Sequence, residues 1–242
     1  MVLIVGFTSP TYPIKLIPFI VDWEHPSTTT QGQHFLTLVS SLRSALPSHS
    51  ILTTAVPAGQ WALTHIPLAQ ISHHLTYINL MCYDFSGPWT HRCGHASQLH
   101  THTKPHDDAA KLSGESAVAY VLSHGVPASK IVMGIPCYGR SFLDAKKPGD
   151  EYYGHAGEEG TFEYRDLPRT GAKVVWDEKC GASYCVGGDA GFVSYDDQRA
   201  VKAKAEFVKE QGLQGLFYWT GTGDTNDERS LVKAGFEALH KR

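Results

Sequence analysis

The sequence predicts an α/β fold in which helices cover a parallel sheet. Short apolar runs alternate with amphipathic segments along most of the chain. The apolar runs are continuous rather than alternating, which is typical of strands in parallel sheets. Strand, helix, strand, helix in this order indicates either an open doubly wound sheet or part of a (β/α)8 barrel.

Five segments have the length and composition of strands, being rich in apolar residues and bounded by Gly, Pro or polar residues. The predicted strands are 18–23 (PFIVDW), 51–58 (ILTTAVPA), 75–85 (LTYINLMCYDF), 130–139 (KIVMGIPCYG) and 213–221 (LQGLFYWTG). No GxGxxG or GxxxxGK[ST] motif follows any of them, which disfavours a nucleotide-binding fold.

Helical periodicity occupies the segments between these strands. The first helix is predicted from an apolar stripe that ends before Pro47, formed by Phe35, Leu38, Val39, Leu42 and Leu46. A second stripe within 196–212 consists of Val201, Lys204, Ala205 and Val208, and Gly212 suits the C′ position. Further helices are predicted at 65–74, 107–124 and 227–241.

The alternation of strands and helices stops after Phe142. Residues 144–195 are rich in Gly, Tyr and charge, with short alternating segments such as TFEYRDL and AKVVWDE. These predict an inserted subdomain of small antiparallel strands. We therefore expect three parts: strand–helix units at 1–143 (1–16 poorly defined), the insertion at 144–195, and the last strand and helices at 196–242.

Composition excludes several classes of function. A formal net charge of −3 over 242 residues argues against nucleic acid or an anionic membrane as a partner. No run of 18 apolar residues occurs, so no membrane-spanning helix is expected. The first fourteen residues lack a basic region and a small-residue cleavage site, so a signal peptide is not predicted.

Cysteine and histidine patterns suggest neither a defined disulfide set nor a metal site. The odd number of cysteines, 5, prevents complete pairing within the chain, although Cys180 and Cys185 could bridge a tight loop. Histidines cluster near Cys93, at His91, His95, His100, His102 and His106. No CxxC or HExxH spacing accompanies them, so no metal is expected there.

Candidate chemistry lies at the carboxyl ends of the strands, where a barrel keeps its active site. Asp22 and Glu24 are two positions apart, so their side chains share one face of the strand. Two neighbouring carboxyl groups at a buried strand end raise each other's proton affinity, and one can then act as an acid near neutral pH. Acidic residues also end strands merely to solvate a turn, and this alternative stays open for DWE alone.

Four motifs in order resemble those of glycoside hydrolase family 18 chitinases, especially fungal members. They are VDWEHP, INLMCYDFSGPW, MGIPCYGRSF and GLFYW. The resemblance covers residues 18–240 and implies a (β/α)8 barrel of which about five units, strands 4 to 8, are present. It also implies that 144–195 is the small α+β subdomain that walls the cleft in many members.

The resemblance implies hydrolysis of β-1,4 bonds in chitin or N-acetylglucosamine oligomers, without a cofactor and, for most members, outside the cell. Glu24 matches the general acid, Asp22 the carboxylate that orients the N-acetyl group, and Tyr83 the hydroxyl that hydrogen-bonds to its oxygen. The acetamido oxygen itself is the nucleophile in this family. Five further residues match substrate-binding positions: Met81 and Asp84 in the same subsite, Trp219 below the reacting sugar, and Tyr138 and Arg140 in the cleft wall.

Two departures from the family pattern affect these expectations. The signature DxxDxDxE requires acids where this chain has Ile17 and Ile20, so we expect Asp22 to position the acetamido group less well. Strands 1 to 3 are not recognised, apart from a weak strand 3 candidate in MVLIVGFTS, which suggests an N-terminally truncated member. Open sheet edges would then favour association. A chitin-binding, lectin-like protein and a fragment that does not fold stably are the alternatives.

Overall fold

The structure, a computed structural model, describes residues 19–102 and 108–241 together with the backbone of 2–6. A six-stranded sheet contains β1 (Val2–Gly6), β2 (Phe19–Trp23), β3 (Leu52–Pro57), β4 (Tyr77–Met81), β5 (Ile131–Pro136) and β11 (Gly215–Trp219), numbered along the chain. The order is β1-β2-β3-β4-β5-β11, and all neighbours are parallel except β1 and β2. The predicted α/β class is confirmed.

The order of the five parallel strands follows their order in the chain. A doubly wound sheet reverses its strand order at a switch point, and the described strands show no reversal, which favours the barrel alternative. The weak prediction of a third barrel strand near the N-terminus is wrong for the described segment. A barrel strand would run parallel to β2, whereas Val2–Gly6 pairs with it in antiparallel register.

Helices follow the strands, and all of the described ones except Gln60–Leu63 lie in segments predicted to be helical. They are α1 (Thr29–Ala45), α2 (Gln60–Leu63), α3 (Leu68–His74), α4 (Gly114–Ser123), α5 (Gln198–Glu210) and α6 (Leu231–His240). Gly212 has φ +64 just after α5, as expected of a C′ glycine. The predicted start of α4 at 107 is wrong, because Ser113 and Ser116 form a capping box that begins the helix at Gly114. Among the described residues, no helix is long and apolar enough to cross a membrane.

The two faces of the parallel sheet have different environments. One face packs against residues of α1, α3, α4 and α5 in the main hydrophobic core, and the strands contribute Val21, Leu52, Val56, Ile78, Leu80, Ile131 and Met133 to it. The opposite face lines a cavity with alternate side chains, among them Ile20, Asp22, Ala55, Asn79, Met81 and Phe217. Because one face borders open space, β2 is only half-buried except at Val21.

A second sheet is antiparallel throughout. Its strands are β6 (Tyr138–Phe142), β7 (Thr161–Glu163), β8 (Lys173–Asp177), β9 (Ala182–Val186) and β10 (Phe192–Tyr195), in the order β7-β6-β10-β9-β8. Small antiparallel strands were predicted after residue 144, but the sheet also includes β6.

The predicted single strand at 130–139 is therefore wrong. Cys137 separates β5 from β6, because its N–H bonds to Trp219 in the first sheet while its carbonyl accepts from Tyr164 beside the second. All five cysteines are buried and unpaired. The possible bridge between Cys180 and Cys185 is absent: Cys185 packs in a hydrophobic cluster, while Cys180 lies in the turn between β8 and β9.

Candidate active site

The carboxyl ends of three parallel strands bring most of the predicted site residues together. Asp22 lies near the end of β2, Met81 ends β4, and Trp219 ends β11. Tyr83 and Asp84 follow β4 directly, and parallel strands present their carboxyl ends at one edge of a sheet. These positions follow from the strand order alone, since each residue is adjacent to the end of its own strand.

One cavity of about 1040 Å³ collects these side chains. Seven of the eight predicted residues line it: Asp22, Glu24, Met81, Tyr83, Asp84, Tyr138 and Trp219. Tyr138 reaches the cavity from β6 of the second sheet, so both sheets form its wall. The volume is at the upper end of the range typical of ligand-binding clefts.

The two carboxyl groups differ in their environment. The Glu24 side chain is 52% exposed, contrary to the expectation of a buried strand end, whereas Asp22 is half-buried. Among the described residues, Oδ1 of Asp22 is buried without a hydrogen-bond partner. Burial raises the pKa of Glu24, and the neighbouring charge of Asp22 raises it further. Burial also raises the pKa of Asp22, partly offset by Glu24 and His25.

His25 is a third titratable group beside this pair. Its Nε2 lies 3.8 Å from Oε2 of Glu24, and its ring meets Trp61 edge-on with 5.1 Å between ring centroids. Burial lowers the pKa of His25, so the ring is neutral near neutral pH. The acid pair therefore has an uncharged neighbour on this side.

An apolar residue precedes Asp22 on the same strand face. Ile20 is half-buried and lines the cavity, so Asp22 has no acid beside it at this position of β2. Ile17, the other departure from the family signature, lies outside the described residues.

Tyr83 lines the cavity between two other aromatic rings. It meets Tyr138 and Phe217 edge-on, with ring centroids 6.1 and 6.2 Å apart. Burial raises the pKa of Tyr83 and of Tyr138, so both hydroxyl groups stay protonated. The hydroxyl of Tyr83 can donate a hydrogen bond to a ligand oxygen, whereas that of Tyr138 is hydrogen-bonded to Asp84.

Arg140 lies behind the residues that line the cavity. It is not among the described residues that line the cavity, and its side chain is only 14% exposed. Its Nε donates to Oδ1 of Asp84 over 2.8 Å. Its guanidinium also lies 4.9 Å from the ring centroid of Trp89. Arg140 therefore positions both Asp84 and Trp89.

Three exposed indoles surround the cavity, and two of them were missed from the sequence. Trp61, Trp89 and Trp219 are 61%, 57% and 54% exposed. Large exposed aromatic rings at a cavity rim offer flat apolar faces to a ligand. Trp61 lies four residues beyond β3. Including aromatic residues after every predicted strand, rather than after the last alone, would have found it.

The histidine-rich segment after β4 is divided among different contacts. His95 is buried beside Asp177, while His100 pairs with Glu115 over 2.9 Å. The thiol of Cys93 donates to the carbonyl oxygen of Lys147, so it does not join these histidines. His106 lies outside the described residues.

Comparison with known proteins assigns this architecture to a family. The model of glycosyl hydrolases family 18 matches residues 20–224. Chitinase 1 of Aphanocladium album is 31% identical over 232 residues, which cover 90% of this chain and 55% of that protein. Sporulation-specific chitinase 2 of Saccharomyces cerevisiae is 32% identical over 258 residues, covering 91% of this chain and 49% of that protein.

A solved structure shares the fold. A mutant of the class V chitinase from Nicotiana tobaccum, in complex with NAG4, superposes with a TM-score of 0.79. It is 27% identical, and the match covers 92% of this chain and 68% of that chain. The chain spans about half the length of the curated relatives it matches. By the match of its family model and of these relatives, the chain belongs to glycosyl hydrolases family 18.

Proposed function

We propose that the protein hydrolyses β-1,4 linkages in chitin or N-acetylglucosamine oligomers. The observation that carries this proposal is the pair Asp22 and Glu24 at the wall of a cavity rimmed by exposed indoles. The chitinases that match the chain, and the match in complex with NAG4, support the choice of substrate. No cofactor enters the proposed reaction.

In the proposed mechanism Glu24 is the general acid. The substrate's acetamido oxygen attacks the anomeric carbon while Glu24 gives its proton to the leaving glycosidic oxygen. A cyclic oxazolinium ion forms, and water then opens it while Glu24 takes back a proton, so the anomeric configuration is retained. The raised pKa of Glu24 supports this role, since an acid must hold its proton near the working pH.

Asp22 and Tyr83 are proposed to orient the acetamido group. The carboxylate of Asp22, which lines the cavity, can accept the amide N–H, and the protonated hydroxyl of Tyr83 can donate to the acetamido oxygen. Both contacts hold the nucleophile near the anomeric carbon, where orientation contributes most to the rate. Because Ile20 supplies no acid beside Asp22, we expect a reduced rate rather than inactivity.

The remaining predicted residues are proposed to bind sugar rings. Trp219 would form the floor below the reacting ring, with Met81 and Asp84 beside it and Tyr138 in the wall. Arg140 would act through Asp84, to which it is hydrogen-bonded. Trp61 and Trp89 extend the aromatic rim, which supports an oligomer rather than a disaccharide as the bound ligand.

We further propose that the five parallel strands correspond to strands 4 to 8 of a (β/α)8 barrel. Their sequential order and the helices on one face support this correspondence. The proposed parts are the barrel units at 1–143, the α+β insertion at 144–195 and the last barrel unit at 196–242. In the described sheet β11 pairs only with β5, and its other edge could support association. Action outside the cell is proposed from the family resemblance.

Release of 4-methylumbelliferone from its chitobioside tests this function. We expect release by the purified protein and a loss of at least about 100-fold in Glu24→Gln. Glu158→Gln, an exposed glutamate in the insertion, is the matched control and should leave the rate unchanged. Equal rates in Glu24→Gln and the parent protein would refute the role of Glu24. Chitin binding without release by cooperatively melting protein would support the lectin-like alternative instead.

A further inference from the structure

Three potential metal ligands meet outside the proposed active site. Among the residues that the structure describes, His95, Asp177 and Cys180 place one ligand atom each within 4.8 Å of one another. His95 belongs to the segment after β4, Asp177 ends β8, and Cys180 lies in the following turn. The cluster therefore joins the segment that follows Tyr83 and Asp84 to the second sheet.

The cluster is enclosed on all but one side. His95 is 5% exposed and Cys180 is 1% exposed, whereas the Asp177 side chain is 23% exposed. Oδ1 of Asp177 accepts from the backbone N–H groups of Lys179 and Cys180. Its Oδ2 lies 3.2 Å from Nε2 of His95. The turn thus holds the carboxylate so that one oxygen faces the ring, and solvent can reach the cluster past Asp177.

We infer that His95, Asp177 and Cys180 form a binding site for a divalent transition-metal ion, of which Zn²⁺ is the best fit. Mixed sulfur, imidazole and carboxylate donors are typical of zinc. Zinc lies about 2.0–2.3 Å from such atoms, so tetrahedral ligand atoms are roughly 3.3–3.7 Å apart. The His95–Asp177 distance of 3.2 Å is close to this range, and the remaining separations, which are within 4.8 Å, need to close by at most about 1.5 Å. Water would occupy the fourth position beside Asp177, the most exposed of the three ligands.

Charge balance supports this assignment. Asp177 and Cys180 can each supply one anionic donor, a carboxylate oxygen and a thiolate sulfur. Binding displaces the thiol proton to solvent, and His95 coordinates through Nε2. Zn²⁺ with one thiolate and one carboxylate is neutral overall, which suits a buried position.

The proposed ion has a structural role independent of the proposed hydrolysis. It would fix the segment carrying His95 against the turn between β8 and β9. The turn already contacts this segment, because the N–H of His100 donates to the carbonyl oxygen of Cys180. The buried thiol of Cys185 has different surroundings, because it packs among apolar side chains. Cys185 therefore offers a matched control.

Titration of the chelator-treated full chain with Zn²⁺, and with Co²⁺ as a spectroscopic substitute, tests the inference. We expect one equivalent to bind, to raise the melting temperature and, for Co²⁺, to produce thiolate-to-metal charge-transfer absorption. Cys180→Ser should abolish this absorption and weaken zinc binding at least about tenfold. Asp177→Asn should weaken binding similarly, and Cys185→Ser should behave like the parent protein.

Three results would overturn the inference. They are a cooperatively melting parent protein that binds neither ion, unchanged zinc binding in Cys180→Ser and Asp177→Asn, and equal loss in Cys185→Ser. Should Cys180→Ser fail to fold, the charge-transfer band of the parent protein and its retention in Cys185→Ser decide the matter. None of these readouts requires chitin hydrolysis, so failure of the proposed activity would leave the metal test intact.

Discussion

Arg140 and Asp84 form an ion pair that connects the two sheets, with Nε of Arg140 donating to Oδ1 of Asp84 over 2.8 Å. Asp84 follows β4 of the parallel sheet, and Arg140 lies in β6 of the antiparallel sheet. The pair is mostly shielded from solvent, with side chains 14% and 34% exposed. Because the ion pair joins the two sheets, the orientation of Asp84 in the cavity depends on how the sheets pack against each other.

Removal of this ion pair should therefore lower both the free energy of unfolding and the rate of turnover. We expect Arg140→Met to lower the free energy of unfolding by about 1–3 kcal/mol, because Asp84 loses its partner in a partly buried site. Urea denaturation measures this change. Arg165→Met is the control, since Arg165 forms an exposed pair with Glu163 that should contribute less than about 1 kcal/mol. Equal destabilisation in both variants would contradict the connecting role.

The pH dependence of hydrolysis should report the coupling between Asp22 and Glu24. A general acid works only while protonated, so kcat/KM falls as pH rises through the pKa of Glu24. The negative charge of Asp22 helps to raise that pKa. In Asp22→Asn the residual activity should therefore decline at lower pH than in the parent protein. Asp189→Asn is the control, because Asp189 pairs with Arg169 and does not line the cavity. Its activity should decline at the same pH as that of the parent protein. If the activity of Asp22→Asn declines at the same pH as that of the parent protein, the coupling between Asp22 and Glu24 is refuted.

Restoring an acid at position 20 should increase turnover. Ile20 shares its strand face with Asp22 and lines the open cavity, so a carboxylate there is accessible to solvent. We expect Ile20→Asp to raise kcat several-fold, because Asp22 would regain a proton-sharing neighbour. Ile20→Asn is the control, since it adds polarity without a titratable group. If the aspartate variant turns over no faster than the parent protein, the explanation from Ile20 fails.

Trp219 should matter for binding more than for folding. Its indole is 54% exposed at the cavity rim, so Trp219→Ala should change the free energy of unfolding by less than about 1 kcal/mol. The loss of a flat stacking surface should raise the Kd for a chitooligosaccharide roughly tenfold, equivalent to about 1.4 kcal/mol. Calorimetric titration with Glu24→Gln as background prevents hydrolysis of the ligand. Trp176→Ala, which changes an indole outside the cavity, should bind as before.

A buried charge explains the single lysine in an apolar helical stripe. Lys204 of α5 is 0% exposed and pairs with Asp196, which is 1% exposed and also accepts a hydrogen bond from Ser97. We expect Lys204→Met to cost about 3–5 kcal/mol in urea unfolding, because Asp196 would remain buried without its counterion. Lys202→Met changes an exposed lysine of the same helix and should cost less than about 0.5 kcal/mol. Similar costs for both would contradict this explanation.

The periodicity of apolar residues was sufficient to predict an element that has the same surroundings along its whole length. The stripe through Phe35 and Val39 predicted α1, and Gly212 correctly marked the end of α5, because helix geometry relates residues three and four positions apart. Periodicity was insufficient at Cys137. The run from 130 to 139 is continuous in composition, but the hydrogen bonds of Cys137 with Trp219 and Tyr164 divide it between two sheets.

The sequence by itself determined the α/β class, the parallel strands and the residues at the strand ends that line the cavity. Strand ends can be recognised locally, and the carboxyl ends of parallel strands share one edge. Only the tertiary structure decided that Arg140 lies behind the wall, that Trp61 lies at the rim, and that His95 meets Asp177 across 82 residues of sequence. Such contacts depend on how two sheets pack against each other, and packing between distant segments leaves no periodic signal in the chain.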